Sequence, residues 1–335
     1  MTEPILVTGA AGFIGFHTTV RLLQAGKHVV GVDNLNDYYD VSLKEARLRE
    51  LGNFQNFTFV REDIANREGM EKLWQEHGSF KQVIHLAAQA GVRYSLKNPH
   101  SYVQSNLVGH LNILELCRHT DGFEHLVYAS SSSVYGKNTK LPYAVEDRVD
   151  QPVSLYAATK RGGELMSHSY SHLYNIPQTG LRFFTVYGPW GRPDMSPYIF
   201  TNAIIKGEKV PIFNNGDMMR DFTYIDDIIS GVIAVLENPP VKENEEKIPY
   251  RVLNIGNNNA ENLMDYVAAI EKAVGKKAEI ELLPMQAGDV KETYADIEET
   301  TKLTGYKPTT SINEGIPKYV AWFKDFYGSE ANRTK

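Results

Sequence analysis

Three glycines stand where a short apolar run meets a helical pattern, and this turn constrains the fold more than any other feature of the sequence. The run Ile5-Leu6-Val7 leads into Gly9, Gly12 and Gly15, after which apolar residues recur at helical spacing. A strand entering a helix through such a turn exposes backbone N–H groups at the positive end of the helix dipole, where anions bind. The spacing G-x-x-G-x-x-G departs from G-x-G-x-x-G, so a tight turn without a ligand remains an alternative.

Two acidic positions follow the next predicted strands and extend this hypothesis. Asp33 ends the second strand 18 residues after Gly15. A carboxylate there accepts hydrogen bonds from ribose hydroxyls and repels a 2′-phosphate, so it favours NAD over NADP. Asp63 and Ile64 follow the third strand, and we expect them to meet the adenine edge. Taken by itself, Asp33 is equally well explained as an ordinary loop acid.

Short apolar, β-branched runs alternate with longer helical patterns over the first 185 residues. This alternation predicts βαβ units with right-handed crossovers, and therefore an α/β fold with a doubly wound parallel sheet covered on both faces. We expect strands near residues 4–8, 28–32, 57–60, 82–86, 125–129 and 178–183, and a further strand at 252–255.

The alternation loosens after Val186, where Pro189, Pro193 and Pro197 break regular structure. We interpret this segment as a loop into a smaller α/β substrate-binding lobe. The predicted boundaries give residues 1–184, with about 225–258 returning, to the dinucleotide domain, and about 185–224 and 259–335 to the smaller lobe. The stretch 238–247 starts with prolines and turns acidic, which is typical of an exposed loop.

A serine cluster, a tyrosine and a lysine form the candidate catalytic set. Ser130 to Ser133 follow the fifth predicted strand, at the sheet edge where ligands of this architecture bind. Tyr156 and Lys160 are spaced i and i+4 in a predicted helix, so their side chains share one face. A phenol becomes a base at neutral pH if its pKa falls by roughly three units, which takes about 4 kcal/mol. A nearby ammonium and a nicotinium ring supply such charge, although a Y-x-x-x-K pair alone is more often a solvated helix face.

Five sequence blocks stand in the order found in a known enzyme family. They are TGAAGFIG, HLAAQAGVR, ASSSSVYG, YAATK and RDFTYIDD, and together they extend over nearly the whole chain. The sequence therefore resembles the extended short-chain dehydrogenases/reductases, and among them the sugar-nucleotide 4-epimerases. The resemblance implies a Rossmann domain with bound NAD, a UDP-sugar substrate, and a homodimer assembled through helices near 99–118 and 153–174.

The resemblance also assigns roles to individual residues. It implies that Ser131 joins Tyr156 and Lys160 in the catalytic set. The residues that it and the patterns above place on the cofactor are Gly9, Gly12, Phe13, Ile14, Gly15, Asp33, Asn34, Asp63, Ile64, Leu86, Ala87, Ala88, Tyr156 and Lys160. The residues expected to bind the substrate are Ser132, Ser133, Thr185, Arg192, Arg220 as a diphosphate clamp, and Asp289 at the uridine ribose.

The segment Arg182 to Pro193 (RFFTVYGPWGRP) is the most discriminating part of the chain. Relatives that act on neutral UDP-hexoses usually carry Asn where Thr185 stands and lack the Pro-Trp-Gly-Arg-Pro run, so this version resembles the UDP-glucuronate 4-epimerases. A sugar carboxylate in a desolvated pocket needs donors, which Thr185 and Arg192 offer. The resemblance implies conversion of UDP-glucuronate to UDP-galacturonate through a 4-keto intermediate by transient hydride transfer.

Alternatives stay open at two levels. Arg192 alone is also compatible with bracing its loop or touching the nucleotide. For the whole protein, the alternatives are a 4-epimerase of neutral UDP-hexoses, UDP-glucose or UDP-N-acetylglucosamine, and a non-catalytic NAD-binding module.

Composition argues against several other classes of protein. Hydrophobic residues make up 42% and charged residues 23% of the 335 residues, as in ordinary globular proteins. The net charge of -6 would repel a nucleic-acid backbone, and no stretch approaches the roughly 20 apolar residues that span a bilayer. We therefore expect neither a nucleic acid nor a membrane as partner. The single cysteine, Cys117, and the start without a signal-peptide pattern favour a cytoplasmic protein.

His168 and His172 form an i, i+4 pair similar to those in zinc sites. The glutamate of the H-E-x-x-H motif is missing, and the neighbouring residues are those of an ordinary packed helix. We expect no metal site.

Overall fold

A computed structural model describes residues 3–78, 80–242, 247–286 and 290–333. The strands are β1 (Ile5–Thr8), β2 (Val29–Asp33), β3 (Phe57–Arg61), β4 (Gln82–His85), β5 (His125–Ser131), β6 (Gln178–Phe183), β7 (Thr185–Tyr187), β8 (Lys209–Ile212), β9 (Met219–Tyr224), β10 (Tyr250–Ile255), β11 (Ala260–Asn262) and β12 (Glu279–Leu282).

The α-helices are α1 (Phe13–Gln24), α2 (Val41–Leu51), α3 (Arg67–His77), α4 (Tyr94–Lys97), α5 (Pro99–Val103), α6 (Gly109–Arg118), α7 (Leu155–Tyr174), α8 (Ser196–Lys206), α9 (Ile225–Leu236), α10 (Leu263–Val274), α11 (Glu298–Thr304) and α12 (Ile312–Arg333). A π-helical turn, Gln104–Val108, joins α5 to α6. Short 3₁₀ turns span Ser132–Tyr135 and Phe213–Gly216.

The central sheet contains seven parallel strands from the described part of the chain, in the order β3-β2-β1-β4-β5-β6-β10. The order reverses direction at β1 and β4, whose last residues Thr8 and His85 are paired in register. A reversal of this kind opens a crevice outside the carboxyl ends of the strands, where ligands of doubly wound sheets bind. The fold class predicted from the sequence is confirmed.

Both faces of this sheet are buried because successive strand residues point into two hydrophobic cores. Val7 packs in the core that includes the apolar faces of α1 and α9, whereas the adjacent Leu6 packs in the core that includes α3 and α6. A fully buried aliphatic side chain of this size contributes about 1.5–3 kcal/mol. The sheet is thus a rigid platform for the loops at its carboxyl edge.

Two small sheets lie outside the central one. Strand β9 pairs parallel with β7 and antiparallel with β11, and β8 pairs parallel with β12. Helices α8, α10 and α12 pack together beside them. The proline-containing segment 188–195 connects β7 to α8, and the chain returns to the central sheet through α9 and β10.

The predicted elements agree with the structure except in detail. Every predicted strand is present, with ends that differ by at most two residues. The helix expected near 99–118 is divided by the π turn, and the helix expected near 153–174 begins at Leu155 because the Ser154 hydroxyl caps it by accepting from Ala157 N at 3.1 Å. Residues 243–246 of the expected 238–247 loop lie outside the described part, whereas Val241 is exposed. Among the described helices, none combines the length and the apolarity that crossing a bilayer requires.

Candidate active site

A cleft of about 410 Å³ runs along the carboxyl ends of the central strands. It brings together most of the site residues that the sequence predicts. Those that line it are Gly9, Gly12, Phe13, Ile14, Gly15, Asp33, Asn34, Ile64, Leu86, Ala87, Ala88, Ser131, Ser132, Ser133, Tyr156, Lys160, Thr185 and Arg192. Asp63 and Arg220 are not among the lining residues, and Asp289 lies outside the described part of the chain.

The glycine turn forms one wall of the cleft. Gly9 has a φ of +73° that a side chain would strain, and a Cβ on Gly15 would lie 2.0 Å from the Gly9 carbonyl oxygen. Helix α1 starts directly after Gly12, which has no side chain to cap it, and its first turn contains no acidic residue. The first-turn N–H groups of α1 have no intrahelical acceptor. The turn therefore fits a pyrophosphate.

Asp33 lies at the end of β2, in the part of the cleft next to the glycine turn. Its carboxylate is buried and accepts from Ala11 N at 3.2 Å and from Leu35 N at 2.9 Å. A carboxylate accepts about four hydrogen bonds, so acceptor capacity remains for ribose hydroxyls. Lys44 Nζ lies 3.9 Å from the same carboxylate and also lines the cleft. Lys44 was not predicted, since a lysine in a helix carries no motif.

Asp63 acts on the cleft through a neighbour. Its carboxylate accepts from Ala65 N at 2.8 Å and from Asn34 Nδ2 at 2.9 Å. It therefore orients Asn34, while the adjacent Glu62 and Ile64 line the cleft. The predicted contact of Asp63 with the adenine edge stays a prediction.

The candidate catalytic set lies where β5 ends and α7 begins. Ser131 is the last residue of β5, and its Oγ accepts from Ser133 N at 3.2 Å. The Ser131 side chain is close enough to the Tyr156 phenol to lower the pKa of that phenol. Lys160, one turn further along α7, is buried and donates from Nζ to the Ala129 carbonyl oxygen at 3.0 Å. Strand and helix thus hold the serine, phenol and ammonium at one point of the cleft.

Burial dominates the electrostatics of this set. It raises the pKa of Tyr156, whereas the nearby Ser131 side chain and the charge of Arg192 lower that pKa. It also lowers the pKa of Lys160 to about 8, against the opposing effect of the Glu164 carboxylate. The groups of the protein itself therefore do not bring the phenol into the range of a neutral-pH base.

The segment 188–195 carries the predicted sugar contacts to the same cleft. Arg192 donates from Nε and Nη2 to the two carboxylate oxygens of Asp194, at 2.9 and 2.5 Å, and Tyr38 Oη donates to Asp194 at 2.8 Å. The guanidinium keeps further N–H donors beyond these two. Thr185, at the start of β7, also lines the cleft. No spacing signal points to Asp194 or Tyr38, because the two residues are 156 positions apart in the chain.

Arg220 lies in β9 and is not among the residues that line the cleft. Its guanidinium donates to the carbonyl oxygens of Met219, Lys291 and Val290 at 2.9, 2.9 and 2.6 Å. It therefore holds β9 to the segment that follows the undescribed residues 287–289. Its role toward a diphosphate stays a prediction.

No sequence motif points to Asn106, because its role depends on tertiary contacts. It lies in the π turn between α5 and α6, a kind of turn that often occurs at functional sites. Its side chain accepts from Gln89 N at 2.8 Å, donates to Gln89 O at 3.1 Å and donates to Thr159 Oγ1 at 3.0 Å. These bonds brace the loop after β4 against α7. Among the described residues, no group of three or more His, Cys, Asp or Glu side chains could hold a metal ion.

The fold and the cleft together define a dinucleotide-binding protein of the doubly wound class, with a Ser-Tyr-Lys set at the switch point of its sheet. The chain belongs to the NAD dependent epimerase/dehydratase family, whose model matches residues 5–256. The predicted resemblance is confirmed.

Individual relatives narrow the similarity further. A probable UDP-glucuronate 4-epimerase from Rhizobium meliloti (strain 1021) is 47% identical over 333 residues, which cover 96% of this chain and 97% of that protein. UDP-glucuronate 4-epimerase 4 of Arabidopsis thaliana is 47% identical over 335 residues, or 97% of this chain and 76% of that protein. The crystal structure of UDP-glucuronic acid 4-epimerase from Bacillus cereus, in complex with UDP-glucuronic acid and NAD, matches with a TM-score of 0.88 and 38% identity, covering 97% of this chain and 100% of that chain.

Proposed function

We propose that this protein is an NAD-dependent isomerase that converts UDP-glucuronate to UDP-galacturonate through a 4-keto intermediate. The observation that carries the proposal is the meeting of the glycine turn, Ser131, Tyr156, Lys160 and Arg192 in one cleft. The names and the bound molecules of the similar proteins support the same substrate and cofactor.

The cleft fits NAD from end to end. The glycine turn and the first turn of α1 would hold the pyrophosphate, and Asp33 with Asn34 would hold the adenosine ribose. Leu86, Ala87 and Ala88 would lie beside the nicotinamide half. When bound, NAD supplies a hydride acceptor for the sugar C4 and a positive ring close to Tyr156.

Tyr156 acts as the base that takes the O4 proton and later returns it. Burial raises the pKa of this phenol, so the phenolate forms only where positive charge opposes burial. Lys160 supplies part of that charge from the same helix face, and Ser131 orients the reacting oxygen through its hydroxyl. Rotation of the intermediate about its diphosphate link presents the opposite face of C4, so the product differs only in configuration there.

Thr185 and Arg192 would bind the sugar carboxylate, with Ser132 and Ser133 beside the reacting part of the sugar. A 4-keto uronic acid is a β-keto acid that readily loses CO₂. Donors that keep the carboxylate charged and hydrogen-bonded restrain this loss, and they distinguish the site from one built for a neutral hexose. Arg220 and Asp289 remain our proposed contacts to the diphosphate and the uridine ribose.

The decisive experiment is incubation of the purified protein, with its bound NAD, with UDP-glucuronate and separately with UDP-glucose and UDP-N-acetylglucosamine. We expect UDP-galacturonate from the first and no net consumption of NAD, as analysed by chromatography. If the protein converts UDP-glucose or UDP-N-acetylglucosamine but not UDP-glucuronate, it is a 4-epimerase of neutral UDP-hexoses and our assignment is wrong. Retention of NAD with no turnover of any of the three would favour a non-catalytic binding module.

Tyr156→Phe tests the catalytic assignment in the same assay. The change keeps the ring and removes the proton-transfer group, so we expect kcat to fall by about 10²–10⁴-fold. Thermal unfolding and NAD content, measured on the variant, control for folding and cofactor binding. Unchanged turnover would contradict the role of Tyr156.

We also propose a division of the chain into two domains, a homodimer and a cytoplasmic location. The return of the chain through β10 supports a dinucleotide domain of residues 1–184 and about 225–258, with a substrate lobe of about 185–224 and 259–335. Exposed apolar side chains on α6 and α7, Leu111, Leu165 and Leu173, support a homodimer, which sedimentation analysis tests. We further propose a cytoplasmic location, testable by cell fractionation.

A further inference from the structure

A buried carboxylate lies directly behind the candidate catalytic set. Glu164 is on α7, one turn after Lys160, and its side chain has no solvent exposure. It accepts hydrogen bonds from Ser130 Oγ at 2.6 Å, from Arg161 Nη1 at 2.9 Å, and from Arg182 Nε and Nη2 at 2.9 and 3.0 Å. Nothing in the reaction described above uses this group.

Glu164 and Lys160 form hydrogen bonds to neighbouring residues near the end of β5. Lys160 donates to the carbonyl oxygen of Ala129, and Glu164 accepts from the side chain of the next residue, Ser130. These two bonds tie successive turns of α7 to successive residues of β5. Ser131 follows immediately and is also paired with Phe183 on β6, so these two bonds help to hold the end of β5 in place beside α7.

The charges around this pair come from several elements. Glu164 faces Arg161 on its own helix and Arg182 on β6, whereas Lys160 faces His85 on β4 and His110 on α6. Burial lowers the pKa of His110 to about 3 and that of His85 well below its usual value, so both imidazoles are neutral at the working pH. Phenols near Glu164 are also neutral, because burial raises the pKa of each; they are Tyr128, Tyr135 and Tyr250. Tyr156 in addition faces Arg192 and Tyr102.

We propose that Glu164 is a positioning residue, which fixes the end of β5 against α7 and sets the electrostatic potential at Lys160 and Tyr156. It acts through those two residues and need not touch the substrate. Its negative charge keeps the buried ammonium protonated, and Arg182 keeps Glu164 itself ionised in the interior. The inference rests on the proposed roles of Tyr156 and Lys160.

The sign of the effect follows from charge alone. Glu164→Gln keeps the size of the side chain and removes one negative charge, so it lowers the pKa of every ionisable group nearby. Arg161→Gln removes one positive charge from the same cluster, so it raises the pKa of the same ionisable groups. The effect of Arg161→Gln is smaller, because its side chain is 29% exposed and water screens its charge.

The test compares wild type, Glu164→Gln and Arg161→Gln as NAD-loaded protein. Tyrosine labelled with ¹³C at the phenolic carbon is titrated by NMR, and the signal missing in Tyr156→Phe assigns Tyr156. We expect the Tyr156 titration of Glu164→Gln to move to lower pH by about 0.5 unit or more. In the pH profile of kcat for Glu164→Gln, both the acidic and the basic limb should also move to lower pH. Arg161→Gln should move the titration to higher pH.

Loss of activity in Glu164→Gln with an unmoved Tyr156 titration would overturn the proposal, because a purely structural role predicts that result. If Glu164→Gln does not fold, Arg161→Gln decides, and an unmoved titration in that variant also overturns it. The NMR titration needs no substrate. A failure of the proposed epimerase activity in wild-type protein would therefore leave this test intact, and the two failures are distinguishable.

Discussion

Burial changes the chemistry of single side chains in the cleft, and Lys160 illustrates the effect. The pKa of its ammonium falls to about 8 because the interior stabilises the neutral amine. Its Nζ donates a hydrogen bond to the main-chain carbonyl oxygen of Ala129, which stabilises the charged form. With a pKa of about 8, Lys160 stays protonated near neutral pH, and its charge can stabilise a phenolate.

Arg192 is the residue at which substrate choice can be tested. Its guanidinium is already held by Asp194, which aims it into the cleft, and we expect its remaining donors to bind the sugar carboxylate. Arg192→Gln should weaken binding of UDP-glucuronate by about 10- to 100-fold, the value of a charge-assisted hydrogen bond. Titration calorimetry measures this change.

UDP, which lacks the sugar, provides the matched control for Arg192→Gln. Its affinity should change by less than about threefold, because a mutation that removes only a sugar contact leaves the nucleotide contacts intact. An equal loss of affinity for UDP and UDP-glucuronate would instead mean that Arg192 braces the loop or touches the nucleotide.

At the scale of elements, the turn between β1 and α1 depends on close backbone packing. A Cβ at Gly15 would lie 2.0 Å from the Gly9 carbonyl oxygen, which is main chain and cannot move aside cheaply. Gly15→Ala should therefore lower stability by about 1–3 kcal/mol and reduce the NAD content of the purified protein. Thermal unfolding and release of NAD on denaturation measure both effects.

Gly328→Ala is the control for Gly15→Ala. A Cβ at Gly328, in α12, would have no atom of the described residues within 4 Å. This change should leave the NAD content unaltered and stabilise the helix by about 0.5–1 kcal/mol, because alanine loses less backbone entropy than glycine. Equal behaviour of the two variants would contradict a steric role for Gly15.

Elements were more predictable than the contacts between them. The strands and α7 follow from periodicity and from a capping serine, which are local signals. The π turn at Gln104–Val108 was not predicted, because the interactions of Asn106 with Gln89 and Thr159 join segments far apart in the chain. For the same reason no local pattern predicts that the Asp63 carboxylate accepts a hydrogen bond from Asn34, 29 residues earlier in the chain.

At the scale of the whole molecule, buried imidazoles link folding to pH. Burial lowers the pKa of His17 and His125 to about 4 and that of His110 to about 3, and it lowers that of His85 as well. An unfolded chain takes up protons at these positions near pH 6.5, which the native protein does not. Stability from the four histidines is therefore complete above about pH 6.5 and is lost as the pH falls toward 4. Three carboxyl groups of the described residues oppose this effect over the lower part of the pH range, because burial raises the pKa of Asp221 to about 6 and also raises the pKa of Glu261 and of Glu299.

We expect the Tm to fall steadily as the pH is lowered from 7.5 to 5, as measured by differential scanning calorimetry. Each histidine contributes up to about 1.4 kcal/mol per pH unit within its window. His125→Gln should make the Tm less dependent on pH, because it removes one of the four buried imidazoles. His125 lies at the start of β5, away from the cleft, and its ring nitrogens are hydrogen-bonded with Leu236 O and Thr179 Oγ1. A Tm that is constant or rises on acidification would contradict this account.

The sequence by itself determined the order of strands and helices, the glycine turn and the Ser-Tyr-Lys set, because each depends on local periodicity, backbone freedom or short spacing. Only the tertiary structure decided that Asp194 and Tyr38 hold Arg192, that Glu164 and Arg182 lie behind Lys160, and that Arg220 ties β9 to residues 290 and 291. These contacts join residues from different strands and loops. Their geometry is set by how the sheet and its helices pack, and no local pattern in the chain encodes it.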